Sequence, residues 1–289
     1  MADKHIDELS GIETTGHEWD GIRELNNPLP RWWLYIFFAC VVWSIGYYIA
    51  YPAIPLVSSY TKGMLGYSSR AEVAKSVADA KSAQSGFVTR IVDASLEEIR
   101  TDPELLEFAL AGGKSAFTVN CSQCHGSGAQ GFKGYPNLND DEWLWGGAME
   151  DIHFTIAHGI RNNQSDDARF SQMPAFLKDG ILERDQIDQV AEFVLSLSGQ
   201  ASDPAAAEAG QVLFEENCLA CHGEGGVGVA ALGAPALNNQ IWLYGGDKET
   251  LVQTISYSRA GVMPAWGKIL PPETVKQLAI YVHSLGGGQ

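Results

Sequence analysis

Basic charge is what this chain has least of. Its 289 residues carry 19 Lys and Arg against 35 Asp and Glu, a formal net charge of −16. Such a surface repels polyanions, which excludes nucleic-acid binding. Cysteine is scarce too, five in all. Four of those fall in two short motifs, so no disulfide framework is expected. Long hydrophobic runs are limited to one, Trp32 to Ala50, which excludes a many-helix membrane core. A cleaved secretion signal is not expected either: the first thirty residues are acidic, and no A-x-A site follows the apolar run.

What is present is Cys-x-x-Cys-His, twice: Cys121-Ser-Gln-Cys124-His125 and Cys218-Leu-Ala-Cys221-His222. Two thiols three residues apart match the two vinyl groups of one haem, and the adjacent His faces the iron. This is the attachment pattern of haem c, so two covalently bound haem c groups are expected, on Cys121 and Cys124 and on Cys218 and Cys221. A structural zinc held by both Cys pairs would need ligands shared across nearly a hundred residues. Cys40, inside the apolar run, is expected to pack as a small apolar side chain.

Each motif sits in a matching stretch. Gly113 and Phe117 precede Cys121 as Gly210 and Phe214 precede Cys218. Pro136-Asn-Leu answers Pro235-Ala-Leu, Trp143-Leu-Trp-Gly-Gly answers Trp242-Leu-Tyr-Gly-Gly, and Met173-Pro-Ala-Phe answers Met263-Pro-Ala-Trp. Ala191 to Leu197 answers Ala279 to Leu285. The first copy carries an extra loop, placed at Arg161 to Ser171. Each copy reads as a helix entering the Cys pair, a Gly-rich loop, a middle helix and an amphipathic closing helix. Glycine is costly inside a helix. Gly113 and Gly210 therefore mark a close crossing by the closing helix of their own domain, with Phe193 or Tyr281 filling the contact. That crossing resembles class I cytochromes c over residues 104 to 287.

Met173 and Met263 are the expected sixth iron ligands, opposite His125 and His222. Thioether sulfur is a soft donor, and both Met residues precede Pro at matched positions among only five Met in the chain. His153 and His158 are rivals in the first copy, but they align with Val252 and Tyr257. The Pro136 and Pro235 carbonyls are the expected acceptors for the Nδ1 protons of His125 and His222. Arg161 and Arg259 are candidates for pairing haem propionates, with a solvated surface role as the alternative.

At about 1.5 Å per residue, the nineteen residues Trp32 to Ala50 span roughly 30 Å, a hydrocarbon core. Aromatic residues crowd both ends, as interfacial belts do. The expected order is a cytoplasmic segment 1–29, a transmembrane helix 30–51, a periplasmic connector 52–103, and cytochrome c domains 104–200 and 201–289. The fold class is then all-α: one N-terminal transmembrane helix followed by two tandem class I cytochrome c domains. In the connector, residues 69–83 read as an amphipathic helix and Asp102-Pro103 as a helix start.

The run from Thr15-Gly-His-Glu-Trp-Asp-Gly-Ile-Arg through Asn27-Pro-Leu-Pro-Arg-Trp-Trp33 resembles the dihaem subunit III (CcoP/FixP) of cbb3-type cytochrome c oxidase, and the resemblance covers the whole chain. It implies a single-pass subunit of the bacterial inner membrane, bound to lipid, with its N-terminus cytoplasmic and its haem domains periplasmic. It also implies electron transfer from a donor cytochrome c or the bc1 complex toward the monohaem subunit and the catalytic haem–copper subunit. The chain itself has no His-rich membrane core for reducing oxygen, so it is expected to be non-catalytic. In some members the Met ligands cross between domains; His-to-Met spacings of 48 and 41 residues leave both arrangements open.

Two other readings compete. A dihaem acceptor of a periplasmic dehydrogenase would share the haem domains but not the Asn-Pro-Leu-Pro-Arg-Trp-Trp run. A dihaem peroxidase would need an open iron position, which Met at both sites argues against. Residues 101–199 carry 15 acids against 6 bases, and residues 200–289 carry 8 against 4; this acidic face either steers a basic electron donor or only keeps the domains soluble.

Overall fold

The computed structural model describes residues 5–286. The chain forms two compact units, residues 1–83 and 84–289. The first opens with a feature that corrects the all-α expectation. Strands β1 (Thr14–Trp19) and β2 (Ile22–Leu25) pair antiparallel, with Trp19 opposite Ile22. The turn between them is Asp20-Gly21, with φ of 50° and 83°. Two consecutive left-handed residues are what a tight two-residue hairpin requires, and Asp-Gly is a preferred pair for it.

Helix α1 (Arg31–Ala50) follows directly on Pro30 and has no buried residue. Its exposed Trp, Phe, Ile and Val side chains leave an apolar cylinder of membrane-spanning length. Past its end the chain folds back on itself. Met64 and Leu65 donate to the Ile49 and Ala50 carbonyls at 2.9 and 3.0 Å, and Tyr51 stacks on Tyr47. Helix α2 (Ser69–Asp93) is longer than the expected 69–83, because its last turns bury Ile91 and stack Phe87 on Phe108 in the second unit.

In the second unit, α3 (Leu96–Thr101) starts with a Ser95–Glu98 capping box, and α4 (Pro103–Asn120) starts at Asp102 as expected. The Asp102 carboxylate accepts from the Glu104 and Leu105 N–H groups at 3.0 and 3.2 Å. After the one-turn α5 (Ser122–His125) come α6 (Met149–His158), α7 (Arg184–Ser196), α8 (Pro204–Asn217), the one-turn α9 (Leu219–His222), α10 (Lys248–Tyr257) and α11 (Pro272–His283).

These helices pack as two cores, and the cores do not follow the repeat. The closing helix of the second copy, α11, lies on α4 and α6 of the first. The closing helix of the first copy, α7, lies on α8 and α10 of the second. A Cβ on Gly113 would collide with the Gln277 carbonyl, and one on Gly210 with the Gln189 carbonyl. Tyr281 meets Phe117 with ring centroids 5.5 Å apart, and Phe193 meets Phe214 at 5.0 Å. The glycine crossings expected within each domain are therefore present but exchanged. Stretches 104–200 and 201–289 are copies of a sequence, while each packed core draws on both. Phe117 and Phe214 are almost wholly buried at the crossings, each contributing about 1.5–3 kcal/mol.

Candidate cofactor site

Each Cys-x-x-Cys-His motif begins where a glycine-bearing helix ends. The Cys121 N–H bonds the Phe117 carbonyl as the last helical link, and the Cys124 and His125 N–H groups both return to the Cys121 carbonyl. Cys218, Cys221 and His222 repeat this bond for bond. One turn thus carries two thiols and an imidazole, all four motif thiols being unpaired. Burial, with a smaller push from the neighbouring thiol, raises Cys121 and Cys218 to about 11. The two pairs sit in different cores, and no cluster of three or more His, Cys, Asp or Glu suited to a metal ion occurs among the described residues. The shared zinc site finds no support.

His125 Nδ1 lies 3.0 Å from the Pro136 carbonyl, and His222 Nδ1 lies 3.0 Å from the Pro235 carbonyl. A carbonyl only accepts, so in each ring Nδ1 carries the proton and Nε2 presents its lone pair. Burial lowers both histidine pKa values, the carbonyl bond acting against it more weakly. Neutral imidazoles with a free Nε2 are suited to ligating iron.

The methionines complete the crossed pattern. Met263 packs into the core that holds Cys121, and Met173 into the core that holds Cys218. Around Met263 the chain is clamped. Its N–H and carbonyl exchange two 3.0 Å bonds with Ile160. The loop peculiar to the first copy adds Asn162 Nδ2 to the Met263 carbonyl at 3.0 Å and accepts the Ala265 N–H on Gln164 Oε1 at 3.2 Å. Met173 has no backbone hydrogen bond among the described residues. Its loop is tied on either side of it, where Arg161 Nη1 donates to the Ser171 carbonyl at 2.9 Å and where Phe176 and Lys178 donate to the Ile255 and Ser256 carbonyls.

The rival and auxiliary residues separate clearly. His158 Nδ1 bonds Ser165 Oγ at 3.0 Å while its ring packs on Phe154. Burial lowers the pKa of His153. Arg161 is spent on the Gly261 and Ser171 carbonyls. Arg259 lies over the Tyr244 ring at 4.5 Å and donates to the Thr250 carbonyl and the Thr254 hydroxyl. Its Nε, and the neighbouring Ser258 Oγ, are buried without a partner. Orphaned donors of this kind call for an acceptor the protein does not supply, and a haem carboxylate fits that need. A cavity of about 430 Å³ between the loops of the two copies is lined by Tyr135, Pro136, Pro235, Trp242 and Tyr244 among others.

Sequence reasoning missed Arg169. It pairs with Asp151 at 2.9 Å, bonds Thr155 Oγ1 and covers the Trp145 and Phe154 rings, tying the extra loop to α6. Its only sequence signal is a position inside that loop.

Three protein families match the chain: the N-terminal domain of cytochrome oxidase-cbb3, FixP, over residues 11–58; cytochrome c over 110–198; and cytochrome c oxidase, cbb3-type, subunit III over 205–282. The cbb3-type cytochrome c oxidase subunit CcoP of Azospirillum brasilense is 58% identical across the full length of both chains. The corresponding FixP of Rhizobium meliloti is 52% identical, again over both full lengths. CcoP of Cereibacter sphaeroides is 50% identical over 96% of this chain and 95% of its own. The similarity thus includes the hairpin and the apolar helix, which a dehydrogenase acceptor would not be expected to carry. From the N-terminal hairpin to the last helix, the chain belongs to the CcoP/FixP family, the haem-binding, membrane-anchored, non-catalytic electron-transfer subunit III of cbb3-type cytochrome c oxidases.

Proposed function

We propose that this chain carries two haems c with crossed axial ligation and passes electrons through them toward the oxygen-reducing subunit of its oxidase. Cys121 and Cys124 would hold one haem, with His125 and Met263 on its iron. Cys218 and Cys221 would hold the other, with His222 and Met173. The observation that carries this reading is the packing of each methionine with the opposite copy's cysteines, beside a histidine whose Nδ1 is tied to a proline carbonyl.

Haem c, when bound, supplies a one-electron iron couple, and ligation by His and Met favours a higher potential than two nitrogens. The chain's residues do the rest. The proline carbonyls fix each imidazole's tautomer and plane. The cores exclude water, and the orphaned donors at Ser258 and Arg259 are placed to take a haem carboxylate. Helix α1 would anchor the chain in the inner membrane, the hairpin on the cytoplasmic side and both cores in the periplasm. The monohaem cytochrome c subunit and the catalytic haem–copper subunit would be its oxidase partners, with a donor cytochrome c or the bc1 complex feeding it.

The test is oxygen uptake by the particle that copurifies with the chain in mild detergent, supplied with reduced cytochrome c. Cyanide-sensitive uptake is expected, with two haems c per chain by pyridine haemochrome. An intact particle holding both haems but consuming no oxygen would overturn the electron-transfer role.

A further inference from the structure

A duplicated chain offers each closing helix two sockets. Helix α7 or α11 could lie on the glycine-bearing helix of its own copy or of the other, because Gly113 and Gly210, Phe117 and Phe214, and Gln189 and Gln277 are matched. Among the described residues, the closing helices of the second unit take the crossed arrangement. What separates the sockets is a set of residues that the repeat does not preserve.

In the core closed by α7, Glu192 is fully buried. Its carboxylate accepts from Ser202 Oγ at 2.6 Å, from the Ser202 and Asp203 N–H groups at 2.8 and 3.1 Å, and from Lys248 Nζ at 2.9 Å. In the register of the repeat, Glu192 corresponds to Ile280, Lys248 to Met149, and Ser202 to Leu105. Those three counterparts are all buried in the single apolar cluster closed by α11. One core has a satisfied polar triad where the other has an apolar one.

A second mismatch points the same way. Lys276 Nζ on α11 donates to the Ile91, Val92 and Ala94 carbonyls at 3.1, 2.7 and 2.6 Å, where α2 ends on the first core. The matching position on α7 is Asp188. If each helix closed its own copy, Glu192 would meet Leu105 and Met149 with no donor, Ile280 would meet Lys248, and Asp188 would replace Lys276 beside three carbonyls. Burying an unpaired carboxylate is among the most expensive single errors a core can contain.

We propose that this polar-against-apolar code assigns each closing helix, and with it each methionine, to the opposite copy. Glu192, Lys248 and Lys276 are thus positioning residues: they decide which methionine faces which histidine without touching either. The proposal rests on the crossed helix pairing; only its consequence for iron ligation rests on the haem reading.

The test uses the full-length protein in detergent, with an affinity tag at its N-terminus and a protease site inserted between Gly199 and Gln200. After cleavage and washing, the fragment beginning at residue 200 is quantified by mass spectrometry. In the parent chain it stays bound, since each fragment supplies half of both cores. The E192I/I280E exchange makes each closing helix match its own copy at the buried carboxylate position, and the retained fraction is expected to fall on the order of tenfold or more. Adding M149K and K248M moves the pairing lysine to the other core and is expected to restore retention.

If E192I/I280E holds its fragment as firmly as the parent, the code is wrong. It is equally wrong if the four-fold variant does not recover retention, including by failing to fold. Release from the parent chain itself would refute the crossed pairing. Haem content is read in the same fractions: a parent chain that retains its fragment but lacks haem would fault the haem reading and leave the code standing.

Discussion

Met263 and Met173 stand at matched positions of the repeat, yet the protein holds them differently. Met263 is gripped through its own peptide by Ile160 and Asn162, and its neighbour Ala265 by Gln164. Met173 has no such grip on its own peptide among the described residues and is positioned through Ser171 before it and Phe176 and Lys178 after it. The cores differ in the opposite sense. The one that receives Met173 carries the buried Glu192 network, while the one that receives Met263 is apolar at the corresponding place. Duplication has supplied two copies of the same thiol, imidazole and thioether set, and later divergence has spent polar groups on a loop in one core and on a helix in the other. Under the proposed ligation, two haems with the same ligands would thereby differ in rigidity and in response to pH.

The severest way to break this comparison is at the feature the cores share. Gly113→Val and Gly210→Val each force a side chain into a facing helix carbonyl, and each is expected to destabilise its core by about 3 kcal/mol or more, beyond ordinary overpacking, because backbone cannot step aside. Thermal unfolding followed by haem absorbance checks it, and equal tolerance of valine at both positions would contradict the close crossing.

Acid should split the cores next. Bonds from Ser202 and then Lys248 hold Glu192 down at about 2, from a usual value of 4.5. A depressed carboxylate stabilises the fold above its unfolded pKa and loses that contribution as pH falls through the folded one. The α7–α8 core is therefore expected to weaken between about pH 4.5 and about 2, ahead of whatever the α4–α11 core loses. Hydrogen exchange resolved by segment over that range is the measurement. Glu192→Gln should blunt the difference.

A gentler variant probes the clamp. Asn162→Ala with Gln164→Ala removes the two hydrogen bonds that reach the Met263 segment, each about 1 kcal/mol, together with two inside the loop. If Met263 ligates iron as proposed, the methionine–iron charge-transfer band of that haem should then fade at lower temperature, with the other haem unchanged. Restoring Asn162 alone should recover part of the loss. A uniform shift in both bands would mean the loop acts on general stability. Smallest is the effect of salt. If the acidic surface steers a basic donor, reduction by a basic cytochrome c should slow as ionic strength rises, and a flat profile would assign the charge to solubility.

Much of the site was legible from residue order because its chemistry is local. Cys-x-x-Cys-His dictates a single turn, a proline carbonyl eleven or thirteen residues on reaches its histidine, and a glycine eight residues before the first cysteine marks a crossing. Asp102 caps the helix it precedes for the same reason. The partner of each crossing was not legible, since both sockets present the same glycine and phenylalanine and are told apart by residues such as Glu192, Lys248 and Lys276. Those residues read as ordinary surface charges until burial is known. The hairpin was missed although Asp20-Gly21 signals it, because the surrounding run lacks clean alternation. Helix α2 outran its expected end because tertiary burial of Phe87 and Ile91 prolongs it, which local propensity does not encode.

The exchange of closing helices also sets an order of assembly. Helices α7 and α8 are neighbours in the chain, separated only by residues 197–203, so the second core can start from a local hairpin of helices. The first core has to join α4 to α11, from Pro103 to His283, and contacts across so great a separation form slowly. The core that holds Cys121 is therefore the last to close, and it closes only on a chain delivered through α11. A truncated subunit would display an open first site, leaving incomplete chains marked by the half that was made first.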